Sequence, residues 1–136
     1  MDILTADQLM IDDLVFDKNN NLIKISSLDI EGNHYKSCTI DVFWRLISGL
    51  RPIQISKEIL KKNGFVDISG GEFSWNLELG ACDVVIFGIE NFYIRVNMYS
   101  PIYSANKLII DELPVKYIHE VQHIFKNLKI KKEWVI

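Results

Sequence analysis

Residues 117–123 read Tyr-Ile-His-Glu-Val-Gln-His and place His119, Glu120 and His123 in the spacing H-E-x-x-H. On a helix, side chains four apart share a face, so two imidazoles could ligate one zinc ion. The glutamate between them would act as base toward a zinc-bound water. That is the chemistry of a zinc peptidase, and it needs a third protein ligand. The metzincin extension of the motif would put Gly at 126 and His at 129, where this chain has Lys126 and Lys129. Downstream of His123 the sole acid is Glu133, set among lysines that would oppose a cation. Upstream, His34, Cys38 and Asp111 belong to no ligand motif. The sequence therefore favours an amphipathic helix with two surface histidines, able at most to hold Zn or Ni adventitiously. No catalytic, cofactor-binding or metal residue is assigned. Under the peptidase alternative, His119 and His123 would be the ligands and Glu120 the base.

Other chemistry is thinner. Gly70-Gly71 precedes a strand pattern and not a helix, so it does not form a phosphate loop. No G-x-S-x-G occurs. Cys38 and Cys82 are far apart, neither in a C-x-x-C nor beside a basic residue, which points to a reduced cytoplasmic compartment without a reactive thiolate. The acid pairs Asp12-Asp13 and Asp111-Glu112 read as punctuation between elements.

Charge separates along the chain. Five aspartates precede the first basic residue, and Lys126, Lys129, Lys131 and Lys132 crowd the end, within a net charge of −3. The balance argues against a protein whose main task is gripping nucleic acid through phosphates, and leaves such contact weak or secondary. Two solvated ends of opposite sign explain the asymmetry most simply. The alternative is an electrostatic handle for a charged partner. The acidic N-terminal stretch lacks the pattern of a signal peptide, and no run reaches membrane-span length, so neither secretion nor a membrane partner is expected.

The elements that must position these residues divide into two blocks. Residues 1–56 read as an SH3-like β unit of short strands, "DLVFD" (13–17), "LIKISSLDI" (22–30), "HYKSCTI" (34–40) and "RPIQIS" (51–56). The turns between the first strands are "KNNN" and "EGN", since Asn tolerates left-handed backbone. "DVFWRLISGL" (41–50) fits a strand or a helical turn, with Trp44 expected in the core rather than as a binding platform.

Residues 57–136 read as a short helix, an antiparallel sheet and a C-terminal helix that packs on that sheet, the two blocks forming one α+β chain. In "SKEILKKNGF" (56–65), Ser56 suits the N-cap and Asn63-Gly64 the stop. "FSWNLEL" (73–79) and "NFYIRVNMY" (91–99) alternate cleanly, while "CDVVIFGI" (82–89) is a buried-type run. "NKLIID" (106–111) adds a fourth strand. The polar side of 91–99 carries Tyr93, Arg95 and Tyr99, a candidate contact face if it is more than the wet side of a sheet. Pro114 is expected to open the helix "PVKYIHEVQHIFKNL" (114–128), and "EWVI" (133–136) to add a last strand.

Three stretches together, "ADQLMIDDLVFDKNNNLIKI", "LRPIQISKEILKKNGF" and "VKYIHEVQHIFKNL", resemble a family of short uncharacterised proteins of Bacteroidetes genomes, their prophages, phages and mobile elements. The likeness covers about half the chain, mainly its two ends. The family's last helix resembles V-H-x-L-Q-x-L. His119, Val121 and Gln122 fit that pattern, whereas Glu120 and His123 are not what it requires. The resemblance implies no activity and no catalytic residues. It implies a cytoplasmic, phage- or mobile-element-encoded protein without cofactor. Such a protein would bind a host protein or ribonucleoprotein complex, for example as an inhibitor of a defence system such as a CRISPR effector. Tyr93, Arg95, Tyr99, Lys126, Lys129, Lys131 and Lys132 are its candidate partner contacts. An H-E-x-x-H peptidase and an RNA- or DNA-binding module are the alternatives.

Overall fold

In the computed structural model, residues 4–37, 43–68, 73–100 and 105–136 are described. The chain is α+β, with mostly antiparallel strands and two α-helices. It divides into two units. The first comprises residues 1–54 with 117–134 and 136, the second residues 55–116 with 135.

The first unit begins from local turn chemistry. Asp17 accepts backbone N–H bonds from Asn19 (2.8 Å) and Asn21 (2.9 Å), and Asn20 adopts φ 64°, as the run of asparagines predicts. This turn joins β1 (Leu14–Phe16) to β2 (Leu22–Lys24), with Val15 opposite Ile23. The strand expected over 22–30 then breaks at Ile25-Ser26. Its second half, β3 (Ser27–Asp29), joins a different sheet with β4 (His34–Lys36) and β5 (Arg45–Leu46). The break lets the Ile25 N–H reach Asp13 O and the Ser26 N–H reach Lys36 O, so each half satisfies its own neighbour.

Among the described strands no closed barrel forms; this unit holds a two-stranded and a three-stranded sheet. From residue 43 on, the ambiguous stretch 41–50 is both things in turn, β5 followed by a 3-10 turn at Ile47–Gly49. Residues 51–56 contribute isolated bridges, Phe16 to Arg51 and Gln54 to Tyr117, in place of a strand. The part of "HYKSCTI" from residue 38 on lies outside the described residues. Val15, Ile23, Ile25, Tyr35 and Ile47 centre the core.

The C-terminal helix α2 (Ile118–Asn127) belongs to this first unit, not to the sheet on which the sequence reading placed it. It also starts later than expected, because Pro114 continues a strand. The Tyr117 N–H donates to Glu120 Oε1 (2.8 Å), and the Ile118 N–H to Ile53 O (2.9 Å). Ile118, Val121, Ile124 and Phe125 are buried, as the apolar stripe predicts.

The second unit opens with α1 (Lys57–Lys62), capped by Ser56 Oγ accepting from the Ile59 N–H (3.3 Å) and ended at Gly64 with φ 87°. Five strands follow as an antiparallel meander: β6 (Val66–Asp67), β7 (Phe73–Glu78), β8 (Cys82–Gly88), β9 (Phe92–Ser100) and β10 (Ala105–Val115). Alternation is obeyed: Trp75, Leu77, Val84, Ile86, Ile94 and Val96 are buried. β10 runs through Pro114, which sits opposite Tyr93 on the outermost strand, where a missing N–H costs no ladder bond. Residues 133–136 form no strand. Instead the buried Trp134 packs its ring on Phe125 (5.3 Å) in the first unit. In the second unit, Val135 exchanges hydrogen bonds with the Asn63 amide. No helix among the described residues is long and apolar enough to cross a membrane.

Candidate functional site

The H-E-x-x-H residues are not displayed on the surface. His119 is 4 % exposed, and His123 is half-buried. The expectation of two surface histidines fails because α2 buries more than its apolar stripe. The neighbouring β1 brings a polar partner, Asp13, to the flank of the stripe. Asp13 is fully buried, and its Oδ2 lies 2.6 Å from His123 Nε2 and accepts the Met10 N–H at 2.8 Å. His119 stacks on Tyr117 (5.7 Å between rings) and meets His123 edge-on (5.6 Å). Burial pushes the His119 imidazole below its ordinary range, opposed by the Asp13 charge and reinforced by His123. His119 Nδ1 and Asp13 Oδ1 are both buried without a hydrogen-bond partner.

Glu120, the would-be base, accepts the first orphan N–H of the helix. His123 turns Nε2 to a carboxylate. Among the described residues no three His, Cys, Asp or Glu side chains converge as metal ligands. Of the upstream ligand candidates, His34 faces Asp29 at 3.9 Å and Asp111 faces Arg95 at 3.4 Å, while Cys38 lies outside the described residues. Cys82 is buried, and burial, with the nearby Asp83 charge, pushes its thiol up from the ordinary range.

Gln122, also nearly buried, has a different task. Its Oε1 accepts the Leu14 N–H (3.0 Å), and its Nε2 donates to Asp12 O (3.2 Å). The amide thus ties α2 to the backbone on both sides of Asp13. Sequence reasoning missed Asp13 and Gln122. The one signal was a polar residue at 122 between the buried neighbours Val121 and Ile124 of the apolar stripe.

The candidate contact residues fall into two sets. Lys126, Lys129, Lys131 and Lys132 line one half-open cavity of the first unit, about 750 Å³ in volume, and Lys24 from β2 joins them. Its apolar lining is Leu14, Phe125, Ile130 and Trp134, and its acids are Asp12 and Glu133. Lys132 Nζ sits 5.4 Å over the Trp134 ring, and burial pushes that ammonium down from its ordinary range. Tyr93, Arg95 and Tyr99 belong to the second unit, on the face of β9 opposite Ile94 and Val96. The Arg95 guanidinium there is committed to Asp111 and to the ring of Phe87 (5.0 Å), which leaves less of it for a partner.

A further set was not anticipated. Ile30, Phe43, Trp44 and Leu46 are 67 %, 69 %, 47 % and 60 % exposed, all on or beside the three-stranded sheet of the first unit. Trp44 is therefore not in the core; it lies outside under the ammonium of Lys36, 4.5 Å from the ring. Trp44 directly precedes β5, and Leu46 lies within it. A scan of protein-family models and searches of curated proteins and of solved structures match nothing.

Proposed function

We propose that this chain is a non-enzymatic binding protein that acts on a host protein or nucleoprotein complex in the bacterial cytoplasm. The observation that carries the reading is the exposed apolar set Ile30, Phe43, Trp44 and Leu46 on or directly beside the strands of one small sheet. Single exposed apolar residues are ordinary, but several large ones gathered around one small sheet mark a contact surface. Tryptophan and phenylalanine are the side chains that anchor protein interfaces. The commitment of Glu120 to helix capping and of His123 to Asp13 supports a binding role over a peptidase.

In this reading the strands of residues 1–56 are the SH3-like β unit that presents the patch. The resemblance to short proteins of Bacteroidetes genomes and their phages supplies the setting. Interference with a defence system, including a CRISPR effector, is then the role. The lysines of the C-terminal segment are an accessory charged surface.

The test is affinity capture from native host lysate with the wild-type chain and with Trp44→Ser/Leu46→Asp. The reading expects a specific protein or ribonucleoprotein set retained by the wild type and lost in a variant with unchanged circular dichroism. Retention of nothing above background, or equal retention by the variant, would overturn it.

A further inference from the structure

We propose that the lysine-lined cavity between β1, β2, α2 and the segment after it binds a compact ligand carrying paired phosphates, such as an inorganic polyphosphate. This site is separate from the apolar patch, and the proposal does not rest on that reading.

Charge is the first ground. Five lysines and two acids line the cavity, a local excess of +3. The whole chain carries −3, so the remainder carries −6. None of the five lysines has an ion-pair partner within reach among the described residues, Asp12 and Glu133 included. Lys126 and Lys129 have an adequate structural role beside the C-terminal end of α2. Lys24, Lys131 and Lys132 lie outside that helix, and no such role accounts for them. Like charges gathered around one hollow repel one another, and a multivalent anion relieves that repulsion.

Construction is the second ground. The cavity has walls fixed by hydrogen bonds and packing. Gln122 clamps the backbone at Asp12 and Leu14 to α2. The chain leaves the helix through Lys129 at φ 57°, with the Lys129 N–H on Lys126 O and the Ile130 N–H on Phe125 O. This closes the helix end and folds the lysine run back. Trp134 on Phe125 pins the far end of that run. The volume of about 750 Å³ lies in the range of small-molecule sites, with an apolar floor under a rim of charged side chains, all but two of them cationic.

The lining also selects among anions. It contains no arginine, whose fork matches planar carboxylates, and several lysines, which act as point charges suited to phosphate. It offers no open aromatic face. Phe125 and Trp134 are both buried and lie against each other, with Lys132 over the indole. Single-stranded nucleic acid needs such faces for its bases, so a discrete phosphorylated molecule fits better than a polymer.

The experiment is calorimetric titration of the full chain at low salt with pyrophosphate, ATP, citrate and a short single-stranded oligonucleotide. Pyrophosphate and ATP are expected to bind saturably at one site, more tightly than citrate. Lys129→Glu/Lys131→Glu is expected to weaken both by about tenfold or more. Lys57→Glu/Lys61→Glu on α1, which carries exposed lysines of the other unit, is expected to change nothing. Tighter binding of ATP than of pyrophosphate would show that the apolar floor takes part; equal binding would limit the ligand to its phosphates. The proposal is overturned by the absence of saturable pyrophosphate and ATP binding or by citrate binding equally well. It is also overturned by equal losses in both lysine variants, or by binding of the oligonucleotide alone.

Discussion

His123 Nε2 and Asp13 Oδ2, 110 positions apart in sequence, meet at 2.6 Å in the first unit. The carboxylate is fully buried and also holds the Met10 N–H, so it fastens both the N-terminal segment and α2. A buried charge that loses its partner is left without solvent compensation. Asp13→Ala is expected to lower stability by about 3–5 kcal/mol, and His123→Ala by a similar order, since it strands Asp13. Adding Ala at both positions should cost less than the two losses summed. Urea denaturation of the four proteins measures this; strictly additive losses would show that the pair is not coupled.

His119 makes stability depend on pH. Burial holds its folded-state value below the 6.5 of an unfolded imidazole, so the unfolded chain takes up the proton first. The stability tied to neutral His119 is complete above about 6.5 and declines as pH falls below it, levelling off under the lowered folded value. Asp17, lowered from 3.8 by the Asn21 contacts, acts only at more acid pH and does not blur this window. Melting temperature between pH 7.5 and 5 should fall in the wild type and flatten in His119→Phe. An unchanged slope in that variant would assign the decline to other groups.

The sequence and the structure agree where the instruction is local. The Asp17–Asn21 turn, the Ser56 cap and the alternation of Phe73–Glu78 each follow from residues within a few positions of one another. They diverge where a distant partner decides. Pro114 is a good first helical residue, but the outermost place beside β9 accepts it equally well and keeps the strand going to Val115. His119 and His123 look solvent-facing on a helical wheel because the wheel does not contain Asp13. Trp44 looks like core by size, yet β5 leaves it outside. For the lysines, their crowding was legible in the sequence, whereas their convergence with Lys24 on one cavity depends on β2 lying beside the helix end.

The same geometry speaks to metal. With Glu120 capping the helix and His123 turned to Asp13, the motif lacks a free base and a three-ligand set among the described residues. Protein purified without a histidine tag is expected to carry far less than one zinc per chain. EDTA should leave its melting temperature unchanged, and His119→Ala and His123→Ala should not alter its metal content. Stoichiometric zinc lost in both variants would restore the metallopeptidase reading and oblige Asp13 to move.

Asn63 offers a test in the second unit. Its side chain, 3 % exposed, donates to Ile59 O (2.8 Å) and Val135 O (2.7 Å), and its Oδ1 accepts the Val135 N–H (2.9 Å). The amide therefore closes α1 with one donor and fixes a chain position 72 residues away with its other donor and its acceptor. Asn63→Ala would leave the Val135 backbone groups to find water, at a cost of about 1–3 kcal/mol. Asn63→Asp keeps the acceptor but loses both donated bonds, and a carboxylate would face two carbonyls, so its loss should be at least as large at neutral pH. Acid should narrow the difference between the two variants as that carboxylate becomes protonated. Guanidinium denaturation at pH 7 and pH 4 separates the cases. If alanine proved neutral at both, Val135 would have to be held by packing alone, and the amide would be a bystander at the end of the helix.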